Sequence, residues 1–558
     1  MLPRAPQVAA LAALVGALAC DSPARVKPWR HAPDPTAEAA RAPESPVLAD
    51  APSDADLRAA RSHTLRIHVD AEPGRLSPIV APSLWSRRIT LGTIFEPLLR
   101  YVPPDSPGSS GRFAPRLARS WHVMPGGMEI RIELEPDVTF HDGRPLTTSD
   151  VQFTLDSVRD PRKGVDHLRT MLDDVDAIEL ITPKELRLRL KKPNGWVLRA
   201  LAEIPILPMH VYDGSLYGGG ALIGTGPWRM VSNKAGLVHL TRYENYWGGK
   251  AAIADLEFVY QPDAAIALTA AKRGDLDIVP ALIPAHWPAQ ATAPGITAAF
   301  QPLELAPPRL RYLAFNTARP PLDDPRVRHA IALLVDRRAI AKRVFSGLAR
   351  PALWPIWPGG PVDGAEAPVP DFDPAAAGKL LDAAGWSDHD KDGIRDRDGK
   401  QLRLVMIGAE RAAPKDAAAG PPVKTERDYL IEAARRAGVV IELKTGGASF
   451  LDKRMTDASY DLVEMTWSGM VDGDISPLVA GKSPRIDRAL DALAQAWDPA
   501  ERARLAPELA AALAEAWPIA GIVADAPQGL VARRVTGARP WDGWVDLSQL
   551  AFADQAGK

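Results

Sequence analysis

The only thiol in the 558-residue chain is Cys20, and it follows directly on a short apolar run, residues 8–19. A thiol can act as a nucleophile, ligate a metal, or carry a lipid. Nucleophilic work needs a base held beside it, and zinc needs a second cysteine or a spaced pair of histidines. The eleven histidines are scattered without such spacing, and no second cysteine exists. Gly-x-Ser-x-Gly elbows, phosphate-binding Gly-rich loops and His-Glu-x-x-His helices are also missing. Gly224-Thr225-Gly226 lacks the third glycine of a dinucleotide turn. Asp388-His389-Asp390-Lys391-Asp392-Gly393 opens like a calcium loop and has Asp396 at its ninth position. Its twelfth position is Gly399, where a bidentate glutamate is required, so the segment reads as an Asp-Gly-rich turn. Local sequence thus names no catalytic residue, no cofactor and no metal site. A binding function, or a site built from residues that converge only in space, is what remains.

Several elements must carry such a function. The apolar run before Cys20 is too short to span a bilayer comfortably and is preceded by Arg4, the layout of a secretory signal. Ala17 and Ala19 fit small-residue cleavage. Cys20 then looks like the acylated cysteine of a bacterial lipoprotein; simple cleavage leaving a free thiol is the other reading. From Asp21 to about residue 62 the chain is Ala, Pro and charge, a tether between membrane and fold. Lys+Arg is 67 and Asp+Glu 69, a balance that gives no basis for nucleic-acid binding. Alternating runs predict strands over 64–69, 128–134 and 185–190. Helical spacing follows Asp324-Pro325, covers 376–384 up to Gly385, and recurs over 486–497 and 501–517. Thr147 to Asp150 supplies the cap of a further helix near Val151. Mixed strands and helices without internal repeats argue for an α/β fold.

A set of motifs in fixed order then resembles a known family. Ile94-Phe95-Glu96-Pro97-Leu98-Leu99 and Phe113-Ala114-Pro115-Arg116-Leu117-Ala118-Arg119-Ser120-Trp121 come first, followed by Phe140-His141-Asp142-Gly143-Arg144-Pro145. Gly224-Thr225-Gly226-Pro227-Trp228, Asn245-Tyr246-Trp247-Gly248-Gly249 and Pro321-Leu322-Asp323-Asp324-Pro325-Arg326-Val327-Arg328 continue the series. Together they resemble the family 5 extracellular solute-binding proteins, the peptide, dipeptide and nickel-chelate receptors of ABC importers. The motifs are structural in themselves. Gly224 and Gly226 are expected to take backbone conformations closed to other residues, letting Trp228 pack on the sheet. Arg326 and Arg328 open a helix, where cations are disfavoured, so a carboxylate partner is expected for them.

The resemblance implies a two-lobed periplasmic-binding-protein type II (cluster C) fold with an extra subdomain in the first lobe. It divides the chain into a signal peptide 1–19, lipidated Cys20 and tether 20–62, first lobe 63–310, second lobe 311–518, and a return to the first lobe with a tail at 519–558. It implies an oligopeptide-like ligand held in the cleft, an ABC permease and ATPase as partners, a lipid anchor on the periplasmic side, and a monomer. In peptide-binding members an Asp after a Trp holds the ligand's ammonium group. Here Trp467 is followed by Asp472 and Asp474, and the alternative reading of that segment is a polar turn around Gly473. Trp85, Trp354, Trp357 and Trp467 are the aromatic residues expected nearest the ligand; packing within the lobes is their other reading. Alternative roles are a non-transport sensor or chaperone-like lipoprotein, or a receptor for a glycoside or metal chelate.

Overall fold

The computed structural model describes residues 63–554 apart from 81–82, 103–110, 214, 217–221, 235, 284–285, 288, 306–308, 355–368, 411–423, 468–473 and 542–543. Thr64–Val69 forms the strand its alternation predicts, with Leu65 and Ile67 fully buried. It pairs in parallel with Asp255–Tyr260 and Ile278–Val279. Around it grows a seven-stranded sheet in the order Phe300–Glu304, Gln528–Ala532, Ile278–Val279, Thr64–Val69, Asp255–Tyr260, Leu237–Arg242, Trp228–Lys234. A second sheet of six strands runs Ala349–Pro351, Ile519–Asp525, Arg309–Phe315, Leu462–Trp467, Arg403–Ala409, Val440–Gly446. Each sheet has its own hydrophobic core. The first gathers residues from Leu65 to Leu305 and from Leu530 to Phe552, and the second, with one exception, residues from Leu310 to Val523.

The chain passes between the sheets twice, from Glu304 to Arg309 and from Asp525 to Gln528. The two passages run side by side, the Leu305 amide donating to the Pro527 carbonyl at 3.0 Å. The return to the first lobe therefore comes at 525–528 and not at 519. Ile519–Asp525 is buried at every position and is zipped to Arg309–Phe315 and Ala349–Pro351. A strand buried on both faces belongs inside a sheet.

The extra subdomain is a four-stranded antiparallel sheet, Ala118–Val123, Glu129–Leu134, Glu185–Leu190, Val175–Thr182. The helix Thr148–Arg159 packs against it, starting three residues before Val151. Its start is a reciprocal cap: the Thr147 amide and hydroxyl both donate to Asp150 Oδ2, at 2.9 Å. Asp324 caps Pro325–Leu333 as expected, accepting from the Arg326 amide at 2.8 Å.

Arg326 finds the expected carboxylate in that same Asp324. Arg328 does not. It is buried and donates to the carbonyls of Leu322, Asp323, Ala516 and Trp517. Ala516 ends the helix Pro499–Ala516, whose last carbonyls carry the negative end of the helix dipole. That end takes the place of a carboxylate.

The sequence motifs converge in the first lobe on one carboxylate. Glu96 is fully buried. Its Oε1 accepts from Arg116 Nε and Tyr246 Oη, each at 2.6 Å. Its Oε2 accepts from Thr225 Oγ1 and Trp247 Nε1, each at 2.9 Å. Burial acts to lower the Arg116 pKa, but Glu96 outweighs it and the guanidinium is held more firmly charged than usual. Gly224 and Gly226 serve this junction for a reason other than the one expected. Neither is among the residues with positive φ. A Cβ would fall 2.0 Å from the Ile94 carbonyl oxygen at Gly224 and 2.1 Å from that of Thr93 at Gly226. Their role is close approach, which lets Gly226 and Trp228 donate to Ile94 and Thr93 at 3.0 Å. His141 completes the clasp, its Nε2–H donating to the Gly226 carbonyl at 2.9 Å while Nδ1 accepts from the Gly224 amide at 3.4 Å.

Two outcomes follow. Glu96→Ala strands a buried guanidinium and three neutral donors, so it is expected to cost about 3–5 kcal/mol in denaturant unfolding. Burial depresses the His141 pKa. Below about pH 6.5 the unfolded chain takes up a proton that folded His141 resists, so stability falls with pH until the folded pKa is passed. His141→Gln should flatten that part of the stability–pH curve, measured by thermal unfolding at stepped pH.

Candidate functional site

Arg403–Ala409, Val440–Gly446 and Leu462–Trp467 are parallel, so their carboxyl ends share one edge of the second sheet. Arg309–Phe315 runs antiparallel to Leu462–Trp467 and Ile519–Asp525 antiparallel to it, which brings both interlobe passages to the same edge. In open α/β sheets, ligands bind outside the carboxyl ends of the strands. This edge is the candidate site.

Charge is concentrated there. Arg427 pairs with Glu464, both buried, and Arg427 Nη1 donates to the Ala409 carbonyl at 2.9 Å. Arg311 Nη1 lies 3.3 Å from Glu426 Oε1, and its guanidinium sits 5.0 Å above the Phe345 ring. Arg309 Nη2 donates to Asp525 Oδ2 at 2.5 Å, the two residues facing each other in register. Arg311 Nε approaches Asp525 Oδ1 at 3.4 Å. That pair attracts without a directed hydrogen bond, and both atoms, with Arg309 Nε, are buried without one. Three guanidiniums and three carboxylates thus balance one another at the edge, most of them buried. A balanced edge of this kind is compatible with a ligand carrying both signs of charge, Arg309 and Arg311 being its more exposed members.

None of these six residues was singled out from the sequence. The available signal was Glu464, a charge inside the otherwise apolar start of Leu462–Trp467. A buried charge in a central strand requires a partner, but nothing local says that the partner is Arg427.

The expected site residues fall in different places. Trp467 ends its strand at this edge, is 3% exposed and belongs to the second core. Trp354 belongs to the same core, 5.6 Å from Trp517, which in turn stacks on His329 at 4.2 Å. Among the described residues, the indole nitrogens of Trp354 and Trp467 are buried without a partner. Trp85 lies in the first core instead. Its Nε1 donates to Asp70 at 2.6 Å and its ring meets Trp544 edge-on at 5.4 Å. Asp474 Oδ1 accepts from Ser476 at both amide (2.9 Å) and hydroxyl (2.6 Å), capping chemistry ahead of Ser476–Val479. Cys20, Trp357 and Asp472 lie outside the described residues.

The Asp388, Asp390 and Asp392 carboxylates are exposed, and their nearest oxygens lie within 4.8 Å of one another. They accept from the loop's own amides of Gly393, Asp392 and Ile394, the turn chemistry expected of the segment.

Residues 112–484 match the family model described as bacterial extracellular solute-binding proteins, family 5 Middle. The chain is similar to the nickel-binding periplasmic protein of Escherichia coli, 27% identical over 394 residues, covering 68% of this chain and 71% of that one. It is also similar to a probable di/tripeptide-binding protein of Pseudomonas aeruginosa, 25% identical over 436 residues, covering 74% and 77%. Among solved structures it resembles NikA from Brucella suis in complex with Fe(III)-EDTA, at a TM-score of 0.73 and 22% identity over 88% of this chain and 99% of that chain. The oligopeptide-binding protein AppA from Bacillus subtilis, in complex with a nonapeptide, gives a TM-score of 0.69 at 19% identity with the same coverage. At those identities the likeness is one of fold, and it is the two-lobed α/β fold of solute-binding proteins. With two thirds of its length inside the family model and two cored sheets joined by paired passages, the chain belongs to the bacterial extracellular solute-binding proteins of family 5.

Proposed function

We propose that the protein captures an oligopeptide-like solute between its lobes and delivers it to an ABC permease and ATPase, without any covalent step. The observation that supports this most is the balanced edge of Arg309, Arg311, Arg427, Glu426, Glu464 and Asp525 at the carboxyl ends of the second sheet. A peptide carries an ammonium and a carboxylate, and its backbone offers donors and acceptors at every residue. A site with both signs of charge holds those ends while leaving side chains loosely specified. Relatives named for di/tripeptide binding and as ABC transporter peptide-binding proteins support the same reading.

The ammonium anchor lies in the acidic pair Asp472 and Asp474. Because Asp474 Oδ1 is engaged by Ser476, the main anchoring role goes to Asp472. Trp357 is the aromatic residue left to meet the ligand, Trp354 and Trp467 being buried in the second core. Cys20, acylated after export, fixes the protein to the periplasmic face of the membrane, with 21–62 as the tether and the body acting as a monomer. A multiply acylated N-terminus anchors stably where a single chain would not.

Mass spectrometry of solutes released by denaturing the purified protein should give a ladder of short peptides. A single metal chelate or glycoside would replace the ligand and keep the receptor role. Nothing bound, with no thermal shift across a peptide library, would favour a sensor or chaperone-like role. Asp472→Asn should weaken peptide binding about tenfold or more, the scale of one charge-assisted hydrogen bond, and Asp474→Asn should weaken it less, measured by calorimetry. Cys20→Ser should move the protein from the membrane fraction to the soluble fraction on cell fractionation.

A further inference from the structure

The two peptide passages are not the lobes' only connection. The segment Lys192-Pro193-Asn194-Gly195-Trp196 leaves the subdomain strand Glu185–Leu190 and leads into Val197–Glu203 of the first lobe. Among the described residues, Trp196 is the one member of the second core that comes from outside the second lobe's own stretch of chain. It is 9% exposed, and the Arg502 guanidinium lies 4.2 Å above its ring. Arg502 is held for that role by its Nε, which donates to the Ala496 carbonyl at 2.7 Å.

The exchange is mutual. Trp497, from the second lobe, packs against the first core. Between the two tryptophans the Gly195 amide donates to the Ala494 carbonyl at 2.6 Å, and Lys192 Nζ lies 3.3 Å from Asp491 Oδ1. Two glycines make the approach possible. A Cβ at Gly195 would sit 2.4 Å from Arg502 Nη2, and one at Gly127 would sit 2.8 Å from Trp497 Nε1.

The second lobe's half of this contact is the end of Pro484–Gln495 and the start of Pro499–Ala516. After Pro499–Ala516 the chain reverses at Trp517 and returns along Ile519–Asp525 to the cleft edge. The helix start therefore lies on the cleft side of the second lobe, on elements separate from both passages.

We propose that this tryptophan exchange is a closure latch, a third and non-covalent link between the lobes that populates the closed arrangement before solute binds. A receptor whose competent state is partly populated loses apparent affinity by that fraction, so a latch remote from the ligand tunes affinity for any ligand. Buried tryptophan under a guanidinium is the kind of contact on which interface energy concentrates. The latch holds whichever solute the cleft takes.

The test uses the full chain without added solute. In Trp196→Ala and Arg502→Met, the radius of gyration from small-angle X-ray scattering should rise. Hydrogen–deuterium exchange of the peptide containing Gly195 should speed up about tenfold or more. The double variant should open no further than the larger single one, because both side chains serve one contact. If Trp196→Ala fails to fold, Arg502→Met reads the same contact with the second core intact. A folded Arg502→Met protein in which either reading stays at the wild-type value overturns the latch.

Discussion

Glu96 is a carboxylate with no access to water, and four donors from three separate stretches of chain close on it: Arg116, Thr225, and the neighbours Tyr246 and Trp247. A buried charge is tolerable only when paired and fully hydrogen-bonded, so this one group dictates where those stretches must go. Once they are in place, Gly224 and Gly226 lie against the backbone of Thr93 and Ile94, and Trp228 enters the first core. The subdomain is seated from the same point, since Arg116 leads into its first strand, Ala118–Val123. The first-lobe motifs around Glu96 are therefore parts of one junction, while Pro321 to Arg328 serves the second lobe.

The second lobe is organised by the same constraint applied twice. At its far end, Arg328 satisfies the carbonyls at the close of Pro499–Ala516. At its cleft edge, Arg427 answers Glu464, and Arg309 and Arg311 share Asp525. The first arrangement uses up its hydrogen bonds; the second, among the described residues, leaves buried nitrogens and an oxygen without one.

Much of the scaffold was legible in the chain. Alternation located Thr64–Val69, Glu129–Leu134 and Glu185–Leu190, because a strand half buried on one face must alternate. Asp-Pro and Thr-x-x-Asp located two helix starts, because capping is a matter of three or four neighbouring residues. The resemblance puts the return to the first lobe at 519, whereas Ile519–Asp525 completes the second sheet. Its apolar pattern is the same whether it crosses between sheets or completes one.

Local periodicity, turn chemistry and the ordered motifs fixed the α/β class, the family and the elements, since each depends on residues close together in sequence. Tertiary structure alone decided which distant residues meet. It buried Trp85 away from Trp354 and Trp467, gave Arg328 carbonyls in place of a carboxylate, and joined Glu464 to Arg427. It also carried Trp196 and Trp497 into each other's lobes. These pairings span tens to hundreds of residues, and at that separation a partner is chosen by which elements the packing brings together.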